Sequence, residues 1–191
     1  SKLNISGTFD ELDVAAFDIP PNSILFDKAE FVIGINDLRG IEQQVSLKWN
    51  QDQIPFNSGV SSNHIVNSGI HASLNMKPND SASYQFNLSI DLKGSQLLYF
   101  TPVGKVTDVH LTSAWDNPSF NGAFLPDSRE VTADGFTANW NVLHLNRNYP
   151  QAWLGSTHLI NKSSFGIDLL LPVDNYQKSY RSINYAILFI S

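Results

Sequence analysis

Cysteine is absent from the 191-residue chain. That absence excludes disulfides, thiol catalysis and thiolate metal sites together. It fits a reducing or an oxidising compartment equally, so it assigns neither. Charge is sparse as well: Asp, Glu, Lys and Arg make up 16% of the residues, where about a quarter is usual. Asn, Ser, Thr and Gln must therefore supply most of the polar surface. Lys and Arg number 12 against 18 Asp and Glu, for a formal net charge of −6. The basic residues are scattered, and phosphate recognition needs them clustered, which argues against a nucleic-acid partner. No internal run reaches the roughly 18 to 20 apolar residues that span a bilayer. Ser1 to Gly7 has neither the basic start nor the apolar core of a signal peptide.

What the chain does have is period-two alternation. "YQFNLSIDL" (84–92) places Tyr84, Phe86, Leu88, Ile90 and Leu92 on one face and Gln85, Asn87, Ser89 and Asp91 on the other. Successive strand side chains point to opposite faces, so this is a sheet with one buried and one wet side. "KGS" (93–95) followed by "QLLYF" (96–100) reads as the turn and second strand of a hairpin. The same signature recurs with Val45, Leu47 and Trp49, and again with Ile70, Ala72, Leu74 and Met76. It returns with Phe136, Ala138, Trp140 and Val142, with Phe165, Ile167, Leu169 and Leu171, and near the start with Leu3, Ile5 and Phe9.

Turn-forming clusters separate these runs: "DIPPNS" (18–23), "KPNDS" (77–81), "WDNPSFNG" (115–122) and "LPDSRE" (125–130). Many short strands punctuated in this way predict an all-β, antiparallel β-sandwich-like single domain. Tyr84, Phe86, Leu88, Ile90, Phe136 and Trp140 are expected to share its core.

The C-terminal segment breaks the pattern. Asp174, after Pro172, can cap a helix, and Tyr176, Tyr180, Ile183, Ile187 and Ile190 recur at spacings of four, three, four and three. A helix over about 175–190 is expected, growing apolar on nearly every side after Asn184. A final strand in "NYAILFI" is the alternative reading of the same residues.

Candidate sites are few. His64, His71, His110, His144 and His158 show no metal-ligand spacing, so no metal or other cofactor is expected. No GxSxG or SxxK motif is present, and the adjacent Ser156 and His158 are a coincidence expected in a Ser-rich chain. Catalytic residues are therefore expected to be none. Paired carboxylates acting on a glycan stay open as an alternative, because their pairing is spatial. "INDLRGI" (35–41) reads first as a turn closed by an Asp37–Arg39 pair, with Arg39 a weak binding candidate. In "WDNPSFNGAFLP" (115–126), Trp115, Phe120 and Phe124 either plug the end of a sandwich or form a contact surface. The plug is the favoured reading, with Trp115 and Phe120 as the weak binding candidates. Four Asn-X-Ser sequons (at Asn4, Asn79, Asn87 and Asn161) assign no glycosylation in so Asn-rich a chain.

Several of these segments together resemble the CreD inner-membrane proteins of Gram-negative bacteria, described as cell-envelope integrity proteins. The resemblance lies in "INDLRGI" (35–41), "GIHA" (69–72), "FTPVGKVTDVHLTSAWDNPSFNGAFLP" (100–126), "GFTANW" (135–140) and "FGIDLLLPVDNYQKSYRSINYAILFI" (165–190). These occur in the family's order from about residue 30 onward; Asn36 stands where the family's pattern has Ser. The resemblance implies that 1–174 is a periplasmic β domain and 175–191 the start of a transmembrane helix, cut short at residue 191. It further implies a place at the inner membrane on the periplasmic side, and a non-catalytic interaction or sensing role in envelope integrity. Expression controlled by a response regulator and altered colicin tolerance go with the family. The implied partners are the lipid bilayer, through that helix, and an envelope protein or glycan.

Overall fold

The computed structural model describes residues 2–10, 17–20, 23–35, 37–60, 67–76, 83–93, 97–155 and 158–169, together with the backbone of 186–190. Apart from short 3-10 turns, the regular elements among these residues are strands. They are β1 (Lys2–Phe9), β2 (Glu30–Gly34), β3 (Ser46–Trp49), β4 (Asp52–Pro55), β5 (Asn57–Ser58), β6 (Gly69–Ser73) and β7 (Tyr84–Asp91). After them come β8 (Leu97–Phe100), β9 (Val106–Ser113), β10 (Pro118–Gly122), β11 (Ser128–Thr132), β12 (Gly135–Leu143), β13 (Phe165–Leu169) and β14 (Ala186–Ile190). The fold class is all-β with antiparallel sheets, as the alternation predicts.

Three sheets form, in the orders β1-β7-β3-β4, β10-β13-β8-β14-β2-β6-β5 and β11-β12-β9. The alternation of β7 is realised residue by residue: Tyr84, Phe86, Leu88 and Ile90 are buried while Gln85, Asn87 and Ser89 are exposed. A one-residue slip would reverse every one of these, so burial fixes the register. Leu88 pairs with Ile5 on one side and Leu47 on the other, which brings three apolar rows onto one face.

The expectation of one shared core is corrected: the described residues form two main cores, one on each half of the seven-stranded sheet. The first lies between the four-stranded sheet and the β2–β6 end, and holds Phe31, Ile33, Leu47, Ile70, Leu88 and Ile90. The second lies between the three-stranded sheet and β10-β13-β8, and holds Phe136, Trp140, Val142, Phe165 and Ile167. Phe100, on β8, packs against both. Alternation says which side chains face inward but not which sheet they face, and hence could not separate the two.

The hairpin expected across 84–100 does not form. β7 pairs with β1 and β3, whereas β8 pairs with β13 and β14. The reason lies in the residues: "LLYF" has no polar face, and all four of its residues are half-buried in the wall between the cores. The turn-rich reading of 115–122 is corrected at Pro118–Gly122, which is strand β10 at the edge of its sheet. Proline is tolerated there because a strand's first residue on an edge owes no ladder donor. Ser128–Thr132, which overlaps the turn cluster at 125–130, is likewise the edge strand β11.

The C-terminal helix expected over 175–190 is corrected where the chain is described. Ala186–Ile190 is a strand, parallel to β8 and antiparallel to β2. A short apolar run satisfies a buried strand as well as a helix face, and pairing between two open strand edges decided it. The rest of that expected helix, and the cluster at 77–81, lie outside the described residues. No helix among the described residues is long and apolar enough to cross a membrane.

Candidate interaction surface

The three residues singled out from sequence do not converge. Arg39 sits on the 3-10 turn Leu38–Gly40 that follows β2, at the rim of the first core. Asp37 caps this turn by accepting from the Arg39 backbone N–H at 3.1 Å. Its two carboxylate oxygens also take the Arg39 Nε and Nη2 at 2.8 and 2.9 Å, the local pair expected from "INDLRGI". The hydrogen bond from Arg39 holds the Asp37 carboxyl below its ordinary value, and the same bond raises Arg39. The Arg39 side chain stays 83% exposed, so it stands in water while Asp37 orients it.

Trp115 and Phe120 belong to the other half. Both are partly buried against the second core together with Phe124. Phe120 meets Phe136 edge-on at 5.8 Å and Trp140 at 5.9 Å, and the Arg129 guanidinium covers its ring at 5.3 Å. Trp140 Nε1 donates to the Phe124 carbonyl at 3.2 Å, tying the loop to the sheet. The three aromatics thus pack inward against the second core.

The polar groups that could support chemistry have structural partners. Asp168, half-buried on β13, accepts from the Tyr99 hydroxyl and from Asn121 Nδ2, each at 2.8 Å. His110 contacts Asn139, His71 contacts the Gly59 carbonyl, and His144 contacts the Lys105 carbonyl. Among the described residues no group of three or more His, Asp and Glu is placed to hold a metal ion.

Sequence reasoning missed the most deeply set polar cluster. Arg147 is only 8% exposed, and its Nη1 donates to the Pro102 carbonyl at 2.7 Å. Its Nη2 donates to Gln151 Oε1 at 2.6 Å, and Gln151 in turn donates to the Val103 carbonyl at 3.0 Å. The guanidinium lies 4.7 Å from the Tyr149 ring centroid, whereas its buried Nε has no partner among the described residues. Burial lowers the Arg147 pKa, opposed by Tyr149, and burial raises that of Tyr149. A buried guanidinium is costly unless its donors are occupied, and here the Pro102 carbonyl and the Gln151 side chain take Nη1 and Nη2.

This anchor fixes the long connection between β12 and β13. Tyr149 and Ile160 form a third small core with Val60, Val103 and Trp153 around them. Trp153 stands edge-on to Tyr149 at 6.0 Å and to His158 at 5.3 Å. The connection thus folds inward through Arg147, Tyr149 and Ile160, while Leu145, Leu154 and Leu159 remain 79%, 59% and 64% exposed. One sequence signal could have pointed here: residues 135–167 contain no Asp or Glu, in a chain where acids outnumber bases.

Comparison with known proteins adds the family. The family described as "Inner membrane protein CreD" matches residues 1–191. The chain is also similar to Inner membrane protein CreD of Escherichia coli (strain K12), with 29% identity over 193 residues. That alignment covers 100% of this chain and 42% of the relative, so the chain spans less than half of the relative's length. No solved structure matches.

Proposed function

The chain belongs to the CreD family of inner membrane proteins, and on that premise we propose that it works on the periplasmic side of the inner membrane as a non-catalytic interaction or sensing module. Its task is to hold or sense an envelope component, a protein or a glycan, in support of envelope integrity and colicin tolerance. One observation supports the reading: the half-buried carboxylate Asp168 is engaged by Tyr99 and Asn121, the partners expected of a side chain that ties strands together. Arg39 is the contact residue favoured for the envelope partner, because Asp37 presets its side chain while leaving the guanidinium exposed. A preset charged group loses less conformational freedom on binding than a mobile one.

Complementation tests this in a strain lacking the protein, scored as restored colicin tolerance. Asp168→Asn should still complement, since its amide oxygen accepts from Tyr99 and Asn121 keeps Ser119 Oγ as acceptor, whereas Arg39→Glu should fail. Loss with Asp168→Asn at normal protein abundance, and full activity with Arg39→Glu, would overturn the reading and favour a carboxylate-dependent enzyme.

A further inference from the structure

Arg39 and Gly40 sit side by side on the turn Leu38–Gly40, and nothing among the described residues requires the glycine. Gly40 is not one of the glycines with positive φ. A Cβ built on it would meet nothing closer than the Lys93 carbonyl oxygen at 3.5 Å, an ordinary van der Waals distance. At Gly135, by contrast, the same atom would collide with the Ser113 carbonyl. Glycine gives up more conformational freedom on folding than any other residue. Alanine would serve this turn better, so the bare surface at position 40 leaves room for something outside the chain.

The charges around the turn are balanced. Arg39 Nε lies 2.8 Å from Asp37, Lys93 Nζ lies 3.7 Å from Glu42, and Lys2 faces Asp91 in the β1–β7 register. The whole chain carries −6, so no excess of positive charge draws an anion here. What remains is hydrogen-bond donation. Nε and Nη2 donate to Asp37, whereas Nη1 has no partner among the described residues. Shape narrows the occupant further. A side chain 83% exposed on a turn lines no cleft, and small ligands are held in concave sites. A second protein can bring the concavity itself.

We propose that the Arg39–Gly40 turn is a protein-binding contact. Arg39 enters a pocket of main-chain carbonyls on an uncharged face of the partner, and the missing side chain of Gly40 lets the partner's backbone lie against the turn. Arginine is among the residue types that most often anchor protein interfaces, and this one is already oriented by Asp37. The inference rests on Arg39 being the contact residue, and it adds the class of partner and the role of Gly40.

Gly40→Ala and Gly40→Leu test it in two settings. In the 191-residue chain, Gly40→Ala should leave Tm unchanged or slightly raised, because the fold has room for the methyl group. In the whole membrane protein at normal abundance, complementation should weaken with Gly40→Ala and be lost with Gly40→Leu. Full complementation by both variants would overturn the proposal; if Arg39→Glu still fails in the same strain, the role of Arg39 survives that result. A Tm lowered by more than a few degrees in Gly40→Ala would also overturn it, by showing that the fold itself needs the glycine. Purified peptidoglycan supplies the last arm. Co-sedimentation of the natural chain that Gly40→Leu abolishes would assign the turn to a glycan and contradict a protein partner.

Discussion

Arg147 Nη1 and the Tyr149 hydroxyl donate to the same acceptor, the carbonyl of Pro102, each at 2.7 Å. Two side chains two residues apart thus close a connection onto a segment more than forty residues earlier in the chain. Because either donor alone satisfies the carbonyl, the two are coupled. Tyr149→Phe should cost about 1 kcal/mol and Arg147→Ala about 2–3 kcal/mol in urea unfolding. The double variant should lose more than the sum by about 0.5–1 kcal/mol, since it strands a buried acceptor. Strict additivity would mean that the two bonds do not share their acceptor in solution.

The two cores should respond independently. Leu88→Ala in the first and Val142→Ala in the second should each cost about 2–4 kcal/mol, the loss of buried methyl groups plus the cavity left behind. Combined, they should add to within about 0.5 kcal/mol, because the two residues belong to different cores. Ser89→Ala, on the wet face of β7, should stay within about 0.5 kcal/mol of the natural chain.

Gly135 closes the β11–β12 hairpin with φ +135°, and a Cβ there would run into the Ser113 carbonyl of β9. Any side chain is therefore strained twice, by conformation and by contact. Gly135→Ala should destabilise by roughly 1–3 kcal/mol in thermal or urea unfolding. A neutral result would mean that β9 and β12 are not paired in this register.

Much of this architecture was legible because alternation is a local signal. β3, β7 and β12 each bury the row that their own sequence marks, and β13 buries Phe165 and Ile167 of its row. Partnership between strands is not local. Nothing in "YQFNLSIDLKGSQLLYF" says that β7 and β8 part into different sheets, except that β8 lacks a polar face. The C-terminal apolar run fitted both a helical stripe and a strand, and the pairing of Ala186–Ile190 with β8 and β2 comes from elements far away in sequence. The Asp37–Arg39 turn was readable because both partners lie within three residues. Arg147 was not, because its burial depends on Pro102, Val103 and Gln151 arriving from two segments at once.

Acid should weaken the first half through Asp37. Its folded pKa lies below the ordinary 3.8, so its contribution is present above that value and is lost as pH falls through the lowered one. The difference in Tm between the natural chain and Asp37→Asn should therefore be largest near neutral pH and vanish in strong acid. High salt should shrink it as well, since the pair is exposed. A difference that persists unchanged into strong acid would assign the effect to the cap geometry and not to the charge.

The proposal that this chain is the periplasmic contact domain of an inner-membrane protein is tested most directly by labelling in living cells. The protein is expressed at its natural level with Gln53→Cys, a substitution on the exposed edge strand β4 in a segment otherwise free of thiols. Cells with a permeabilised outer membrane and an intact inner membrane are treated with a membrane-impermeant maleimide. Labelling above that of the unsubstituted protein, before the inner membrane is broken, is the predicted result. Labelling only after the inner membrane is lysed would place the domain in the cytoplasm and contradict the proposal.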